Sequence, residues 1–149
     1  MIKSELSITI DAPPEKVFAR IEDFKSNIEW VPSLIEIKNV TGKGKGQTHQ
    51  SVYKMMGIKM EMNATVTEHV PNERFTLEFS GGGNGRMVYV LEPLNNGCKL
   101  DVTYEYSMPI PLVGKIAERL LKKRNEREFQ TCLENLKELI ETEGKEAVD

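Results

Sequence analysis

From residue 34 onward the chain is a run of short strand-like segments separated by turns of Gly, Asn or Pro, and this pattern restricts the fold more than any other feature of the sequence. The segment 58–70, IKMEMNATVTEHV, alternates most strictly. Its apolar side chains share one face and its polar side chains the other, as in a half-buried strand. Turns this short join antiparallel strands, because parallel strands need a long crossover. The sequence therefore predicts an antiparallel meander of about six strands.

Helical patterns lie on either side of the meander. An alternating first strand, residues 5–10, precedes DAPPEKVFARIEDF, where two prolines stand at a helix start and apolar residues recur at helical spacing. The following KSNIEW predicts a short second helix or turn. Beyond residue 112 the apolar period becomes that of a helix and holds to about residue 143. This amphipathic helix is far longer than average, and we expect its apolar stripe, which includes Ile116 and Leu120, to lie across the whole sheet.

Length and composition favour one globular domain over residues 1–149. The chain is 39% hydrophobic and 29% charged, as is typical of soluble proteins. Its net charge of −3 disfavours nucleic acid as a partner. No apolar run approaches the roughly 20 residues of a membrane-spanning helix, and the amino terminus lacks the pattern of a signal peptide. We therefore expect a cytoplasmic protein without an integral membrane segment.

The cysteines and histidines indicate no metal or cofactor. Cys98 and Cys132 lie far apart, without the spacing of a metal-binding pair, and we expect both to be free buried thiols. His49 and His69 have no neighbouring Cys or carboxylate arrangement that resembles a metal site. We therefore predict no metal and no cofactor.

A glycine-rich run with lysines, VTGKGKGQTH at residues 40–49, has the composition of a phosphate-binding loop. A phosphate cradle requires its glycines to precede a helix, whose amides then point at the anion. This run leads instead into the strand-like QSVYKMM. We interpret it, and the SGGGNG at residues 80–85, as hairpin turns whose glycines supply positive φ angles.

Four stretches together resemble one superfamily: SITIDAPPEKVFARIEDF, WVPSLIEIKNV, the glycine-bearing turn, and VTEHVPNERFTLEF, followed by the terminal amphipathic helix. The chain resembles the START-like superfamily (SRPBCC, also called helix-grip or Bet-v-type) and is most similar to its polyketide cyclase/dehydrase and lipid-transport group. The resemblance implies an α+β fold in which a curved antiparallel sheet of about seven strands wraps around the long C-terminal helix, with two short helices after strand 1. It also implies a cavity between sheet and helix that often holds an apolar molecule. It is specific for fold and weak for function.

Side chains suited to such a cavity are concentrated in the central strands. Methionines adapt to irregular apolar neighbours, and tyrosines offer hydroxyls beside apolar rings. Both residue types also fill ordinary cores. Tyr104 and Tyr106 share their parity with Leu100 and Val102 and are expected to face inward. The candidate cavity-lining and ligand-binding residues are Trp30, Tyr53, Met55, Met60, Met62, Phe75, Phe79, Met87, Tyr89, Tyr104, Tyr106, Arg124 and Glu128.

Two of these candidates lie in a gap of the long helix's apolar stripe. Between Leu121 and Phe129 the positions due to face the sheet are Arg124, Asn125 and Glu128. Arg124 and Glu128 are four residues apart and can pair along the helix. We favour an exposed pair, because a buried charge without a partner is costly. The alternative is that the pair is lowered into the cavity.

Trp30 also allows two interpretations. It stands after the helix pair and before Pro32. We expect it to fix this loop against the sheet. The alternative is that it closes one mouth of the cavity.

Three functions remain open at this point. We expect the protein to bind or carry an apolar, lipid-like or polyketide-like small molecule, since this needs only a cavity and a few fixed polar groups. The second is a polyketide cyclase or dehydratase, which needs a general base near its substrate, and no nucleophile–base arrangement is visible from spacing. The third is a chaperone-activating interaction domain, as in other superfamily members, which leaves a protein partner open.

Overall fold

The computed structural model describes residues 2–55, 57–107 and 114–148, apart from the side chains of Met55 and of residues 146–148. Seven strands form one antiparallel sheet in the order β1-β7-β6-β5-β4-β3-β2. All neighbours except β1 and β7 are therefore consecutive along the chain, which confirms the predicted meander. The strands are β1 (Ile2–Ile10), β2 (Leu34–Thr41), β3 (Thr48–Met55), β4 (Ile58–Val70), β5 (Arg74–Gly81), β6 (Asn84–Leu94) and β7 (Gly97–Ser107).

Helical elements follow the first and last strands. The helix α1 (Pro14–Glu22) starts at a proline, which is tolerated there because the first amide of a helix has no intrahelical acceptor. A 3₁₀ helix (Phe24–Glu29) continues from it. The long helix α2 (Gly114–Val148) has 35 residues and packs along β1. The structure thus confirms a helix-grip arrangement of a curved sheet, two short helices and one long helix.

The core lies between the inner face of the sheet and the helices. Along β7 every second side chain is buried, from Cys98 to Tyr106, and this confirms that Tyr104 and Tyr106 face inward. The inward side chains of α1 are Val17, Phe18 and Ile21, all within 2% of full burial. From α2 the buried contributors are Cys132, Leu133, Leu136 and Ile140.

The first turns of α2 depart from the expected packing. Ile116 and Leu120 were assigned to the apolar stripe, yet they are 76% and 64% exposed. They precede the fully buried Leu136 by 20 and 16 residues, which at about 100° per residue places them about 200° and about 160° from it around the helix axis. They therefore lie on the outer face of α2. The expectation that the apolar residues at this end of the helix lie across the sheet was wrong. Val113, which has the same helical spacing in the sequence, lies outside the described residues.

The first glycine run connects β2 to β3 as predicted. Gly42, Gly44 and Gly46 all have positive φ angles, between 63° and 92°, which residues with a Cβ rarely adopt. The turn is held by a bond in which the amide of Gly46 donates to the carbonyl of Val66 at 2.7 Å. Because it joins two strands, it presents no helix terminus to an anion. This confirms the interpretation as a hairpin turn.

Candidate functional site

A cavity of about 260 Å³ lies between the inner face of the sheet, the 3₁₀ helix and α2. Most of its wall is apolar or aromatic, with a small number of polar groups. The lining residues from the 3₁₀ helix, from the segment that follows it up to the start of β2, and from α2 are Phe24, Asn27, Trp30, Val31, Ser33, Leu34, Leu121, Asn125, Glu128, Phe129 and Cys132. Those from the central strands and their turns are His49, Ser51, Tyr53, Met60, Met62, Leu77, Phe79, Gly82, Gly83, Met87, Tyr89, Tyr104, Tyr106 and Ser107.

Most of the candidates chosen from the sequence contribute to this wall. Ten of them line the cavity, namely Trp30, Tyr53, Met60, Met62, Phe79, Met87, Tyr89, Tyr104, Tyr106 and Glu128. Phe75 is instead packed in the core, 1% exposed, where its ring stacks on Tyr89 with 4.5 Å between centroids. Arg124 is exposed and is absent from the wall. The side chain of Met55 lies outside the described residues.

Trp30 anchors its loop to the long helix and is buried in the cavity wall. Its indole Nε1 donates to the Asn27 side chain at 3.2 Å, and its backbone carbonyl accepts from Asn135 of α2 at 3.4 Å. The ring is 2% exposed and forms part of the cavity wall. The residue thus fixes the loop between the 3₁₀ helix and β2 to the long helix while it bounds the cavity.

The polar gap of α2 separates into an outer and an inner part. Arg124 and Glu128 are both exposed, and Nε of Arg124 lies 3.3 Å from Oε1 of Glu128. The pair is therefore exposed, as expected, and of the two residues only Glu128 lines the cavity. Asn125 points the other way, and its amide donates to the Tyr106 hydroxyl at 2.6 Å. A hydrogen bond rather than a charge therefore joins α2 to β7 across the cavity.

The most polar part of the wall lies on β3, and of its residues only Tyr53 was among the sequence candidates. His49, Ser51 and Tyr53 alternate along the strand and all line the cavity. His49 is 4% exposed, and its Nδ1 lies 3.0 Å from Oε1 of Gln47. Its ring stacks on Phe24 with centroids 4.3 Å apart. Strand parity with Tyr53 is the signal that could have identified His49 and Ser51.

Burial favours the uncharged forms of the histidine, tyrosine and cysteine side chains of the cavity. Desolvation lowers the pKa of His49 from 6.5 to about 4, which favours the neutral imidazole. The same cause raises the pKa of Tyr104 to about 12 and that of the Cys132 thiol to about 11, and it also raises the pKa values of Tyr53 and Tyr89. Apart from Glu128 at the exposed side of the wall, the site therefore presents neutral hydrogen-bonding groups in apolar surroundings.

A second depression, of about 370 Å³, lies at the surface between α1 and the glycine turn. Its wall includes the charged side chains of Glu22, Asp23, Lys25 and Lys43, and His69 lies 2.8 Å from Glu22. It is larger than the cavity but far more polar. The apolar cavity is the better candidate site, because binding sites for small molecules combine an apolar wall with few polar groups.

Comparison with known proteins identifies the family. The family described as polyketide cyclase / dehydrase and lipid transport matches residues 1–141. The chain belongs to this family. The description of the family names polyketide cyclases or dehydrases and lipid transport, and this is as far as the family match determines function. No curated protein matches the chain.

Solved structures support the same fold at low sequence identity. A protein from Thermus thermophilus is 20% identical, with a TM-score of 0.83 over 95% of this chain and 98% of that one. A START superfamily protein from Mycobacterium smegmatis is 14% identical, with a TM-score of 0.81, and the match covers 94% of this chain and 97% of that one. The Zhui aromatase/cyclase from a Streptomyces species is 14% identical, with a TM-score of 0.79, and the match covers 94% of this chain and 93% of that one. At these identities the similarity concerns fold alone.

Among the residues that the structure describes, no helix is both long and apolar enough to cross a bilayer.

Proposed function

We propose that the protein binds an apolar small molecule, lipid-like or polyketide-like, in the cavity between the sheet and α2. The observation that carries this proposal is the composition of the cavity wall, in which aromatic, methionine and aliphatic side chains surround a few polar groups. Ligand sites of drug-sized molecules usually measure about 300–1,000 Å³, so a cavity of about 260 Å³ suits a small ligand. The proposed setting is the cytoplasm, which the free thiols of Cys98 and Cys132 support.

The first test is direct. Protein purified from its host is denatured, and the organic extract is examined by mass spectrometry. The empty protein is then titrated with N-phenyl-1-naphthylamine, an uncharged probe whose fluorescence rises in apolar surroundings. We expect saturable binding of one probe per chain. Absence of both a co-purifying molecule and saturable probe binding would contradict the proposal.

A pair of lysine substitutions, one inside the cavity wall and one outside it, tests where the ligand binds. Met60→Lys introduces an ammonium group into the apolar cavity, where its desolvation is costly, and we expect probe affinity to fall at least about tenfold. Glu61→Lys is the control, because Glu61 is the next residue of β4, is exposed and does not line the cavity. Far-UV circular dichroism verifies folding. Normal uptake by a folded Met60→Lys variant would place the ligand elsewhere.

A second candidate function is cyclisation or dehydration of an aromatic polyketide-like substrate. It is favoured by the neutral imidazole of His49, which lies in the cavity wall beside Ser51. A general base works best when its pKa is near the working pH, and the pKa of His49 is lowered to about 4. This group is therefore better suited to accept a hydrogen bond than to remove a proton from carbon, which is why binding is the first candidate.

A further inference from the structure

Two buried polar side-chain atoms have no hydrogen-bond partner among the described residues, and one of them belongs to a residue of the cavity wall. They are Nε of Arg20 and the hydroxyl oxygen of Tyr104. Arg20 does not line the cavity, and its charge is balanced by Glu29 and Glu143, which its Nη2 contacts. Tyr104 lines the cavity and is 7% exposed. Its hydroxyl is therefore a polar group of the candidate site that the fold leaves unsatisfied.

The ring of Tyr104 is held in place by aromatic neighbours. It stacks on Tyr106, the next inward residue of β7, with 5.7 Å between ring centroids. Phe129 of α2 contacts it with centroids 5.4 Å apart. Both neighbours also line the cavity. Because packing rather than a hydrogen bond fixes the ring, the hydroxyl is in position before a ligand arrives.

The polar side chains around Tyr104 have partners of their own. Ser4 lies opposite Tyr104 on β1, and its hydroxyl donates to Glu126 of α2 at 3.0 Å. The Tyr106 hydroxyl accepts from the Asn125 amide at 2.6 Å. A buried hydroxyl without a partner is unfavourable, and the penalty is relieved when a partner arrives. A ligand that lies against Tyr104 can supply the missing partner.

The chemistry of the phenol indicates what that partner is. Burial raises the pKa of Tyr104 to about 12, against a smaller opposing effect of Ser4, so the hydrogen stays on the oxygen near neutral pH. A phenol donates a hydrogen bond more readily than it accepts one, because its oxygen lone pair is delocalised into the ring. The hydroxyl of Tyr104 is therefore a donor, and the partner that it lacks is an acceptor.

We infer that the cavity selects an apolar molecule that carries a carbonyl group, a ketone or an ester, and that the Tyr104 hydroxyl donates its hydrogen to this carbonyl oxygen. This inference rests on the proposed function and specifies its ligand class. The hydrocarbon part of the ligand lies against the apolar wall beside Tyr104, where Met87 is its cross-strand partner on β6. A compound of the same shape without an acceptor fills the cavity but leaves the hydroxyl unpaired.

A matched pair of small probes tests the inference. 2-Acetonaphthone has a carbonyl acceptor, and 2-isopropenylnaphthalene has the same shape with a methylene group in place of the oxygen. Both are titrated into the wild-type protein and into Tyr104→Phe, which retains the ring but removes the hydroxyl. In the wild type we expect 2-acetonaphthone to bind about tenfold more tightly, as a hydrogen bond to a buried donor allows. In Tyr104→Phe we expect the two affinities to agree within about threefold.

The outcomes separate this inference from the proposed function. Equal affinity of both probes for the wild type overturns the inference and leaves the proposed function standing. A tenfold preference that persists in Tyr104→Phe also overturns it. Binding of neither probe to the wild type removes the proposed function, and the inference with it.

The stability of the empty protein distinguishes a ligand-binding hydroxyl from a structural one. Tyr104→Phe removes a hydroxyl that has no partner, so we expect its thermal midpoint to be at or above that of the wild type. Tyr106→Phe is the comparison and should lower the midpoint, because it takes away the acceptor of the Asn125 amide. A loss in Tyr104→Phe as large as that in Tyr106→Phe would show that the Tyr104 hydroxyl is paired within the fold, and this overturns the inference.

A measurement on the wild type covers the case in which Tyr104→Phe does not fold. 2-Acetonaphthone labelled with ¹³C at its carbonyl is bound to the protein, and the carbonyl stretch is recorded by isotope-edited infrared spectroscopy. We expect the stretch at a lower wavenumber than in dry hexane, because a hydrogen bond to the oxygen weakens the carbonyl bond. A stretch at the hexane position overturns the inference.

Discussion

At the scale of single residues, the burial of His49 makes the free energy of unfolding depend on pH. Its pKa is lowered from 6.5 to about 4, so between these values the unfolded chain binds a proton that the folded chain does not. The free energy of unfolding therefore rises with pH through this window and falls as the pH is lowered from 6.5 towards 4. Between pH 7 and pH 4.5, His49 should lower the free energy of unfolding by about 2–3 kcal/mol.

The variant His49→Leu isolates this contribution. We expect wild type to lose about 2–3 kcal/mol more stability than His49→Leu between pH 7 and pH 4.5, because only the wild type carries the buried imidazole. Urea unfolding at both pH values gives the difference. Gln50→Leu, at the next position of β3, is the control and should follow the wild type. Parallel pH profiles for wild type and His49→Leu would mean that the imidazole is solvated in the folded state.

Single residues also show which parts of the site can be predicted from sequence patterns and which cannot. Tyr53 was recognised as a candidate, and its parity on β3 extends to Ser51 and His49, so alternation could have indicated all three. Alternation could not indicate that Gln47 orients the imidazole or that Phe24 stacks on it. Phe24 lies in the 3₁₀ helix, far from His49 along the chain, and a contact between such distant residues leaves no periodic signal. Gln47 is only two residues away from His49, but it precedes β3 at the end of the glycine turn, where alternation does not apply.

At the scale of elements, the two ends of α2 face different surroundings although both carry leucines. The periodicity correctly predicted one long helix, but the 3.6-residue period does not keep every apolar residue on one face over so many turns. Leu136 is fully buried, whereas Leu120 is 64% exposed. Distinguishing them requires knowledge of which side of the helix meets β1, and this follows from tertiary packing rather than from the helix itself.

This difference predicts unequal effects of the same substitution. Leu136→Ala removes a buried side chain and should lower the free energy of unfolding by about 2–5 kcal/mol. Leu120→Ala should change it by less than about 0.5 kcal/mol, because the side chain is already in contact with solvent. Denaturation in urea, monitored by far-UV circular dichroism, measures both variants. Comparable losses in the two variants would indicate that Leu120 is packed.

Glycines in two elements predict opposite effects of adding a methyl group. Gly44 has a φ of +63° in the turn between β2 and β3, where alanine is strained, and we expect Gly44→Ala to cost about 1 kcal/mol. Gly144 lies inside α2, where an added methyl group would meet open space, so Gly144→Ala should stabilise by up to about 1 kcal/mol. Thermal unfolding measures both. Stabilisation by Gly44→Ala would mean that the turn relaxes to another conformation.

At the scale of the whole molecule, the order of strands and helices was predictable because each connection is short and each period is clear. The presence of a cavity came only from the family resemblance, since no local pattern records the volume that sheet and helix leave between them. Among the residues that line it, Cys132 of α2 is a natural reporter, whereas the other thiol, Cys98 of β7, is fully buried and does not line the cavity. The protein thus carries both a probe of cavity access and its internal control.

Alkylation of the two thiols tests whether small molecules reach the cavity of the folded protein. The pKa of Cys132 is raised to about 11, so thiolate is scarce near neutral pH and reaction is slow. We nevertheless expect uncharged N-ethylmaleimide to modify Cys132 faster than Cys98, since only Cys132 is reachable without unfolding. Peptide mass spectrometry over time gives the two rates, and 2-acetonaphthone should slow the reaction of Cys132 alone. Equal rates at both thiols would show that reagents enter only when the whole chain unfolds, and a cavity closed in this way could not exchange a ligand with solution.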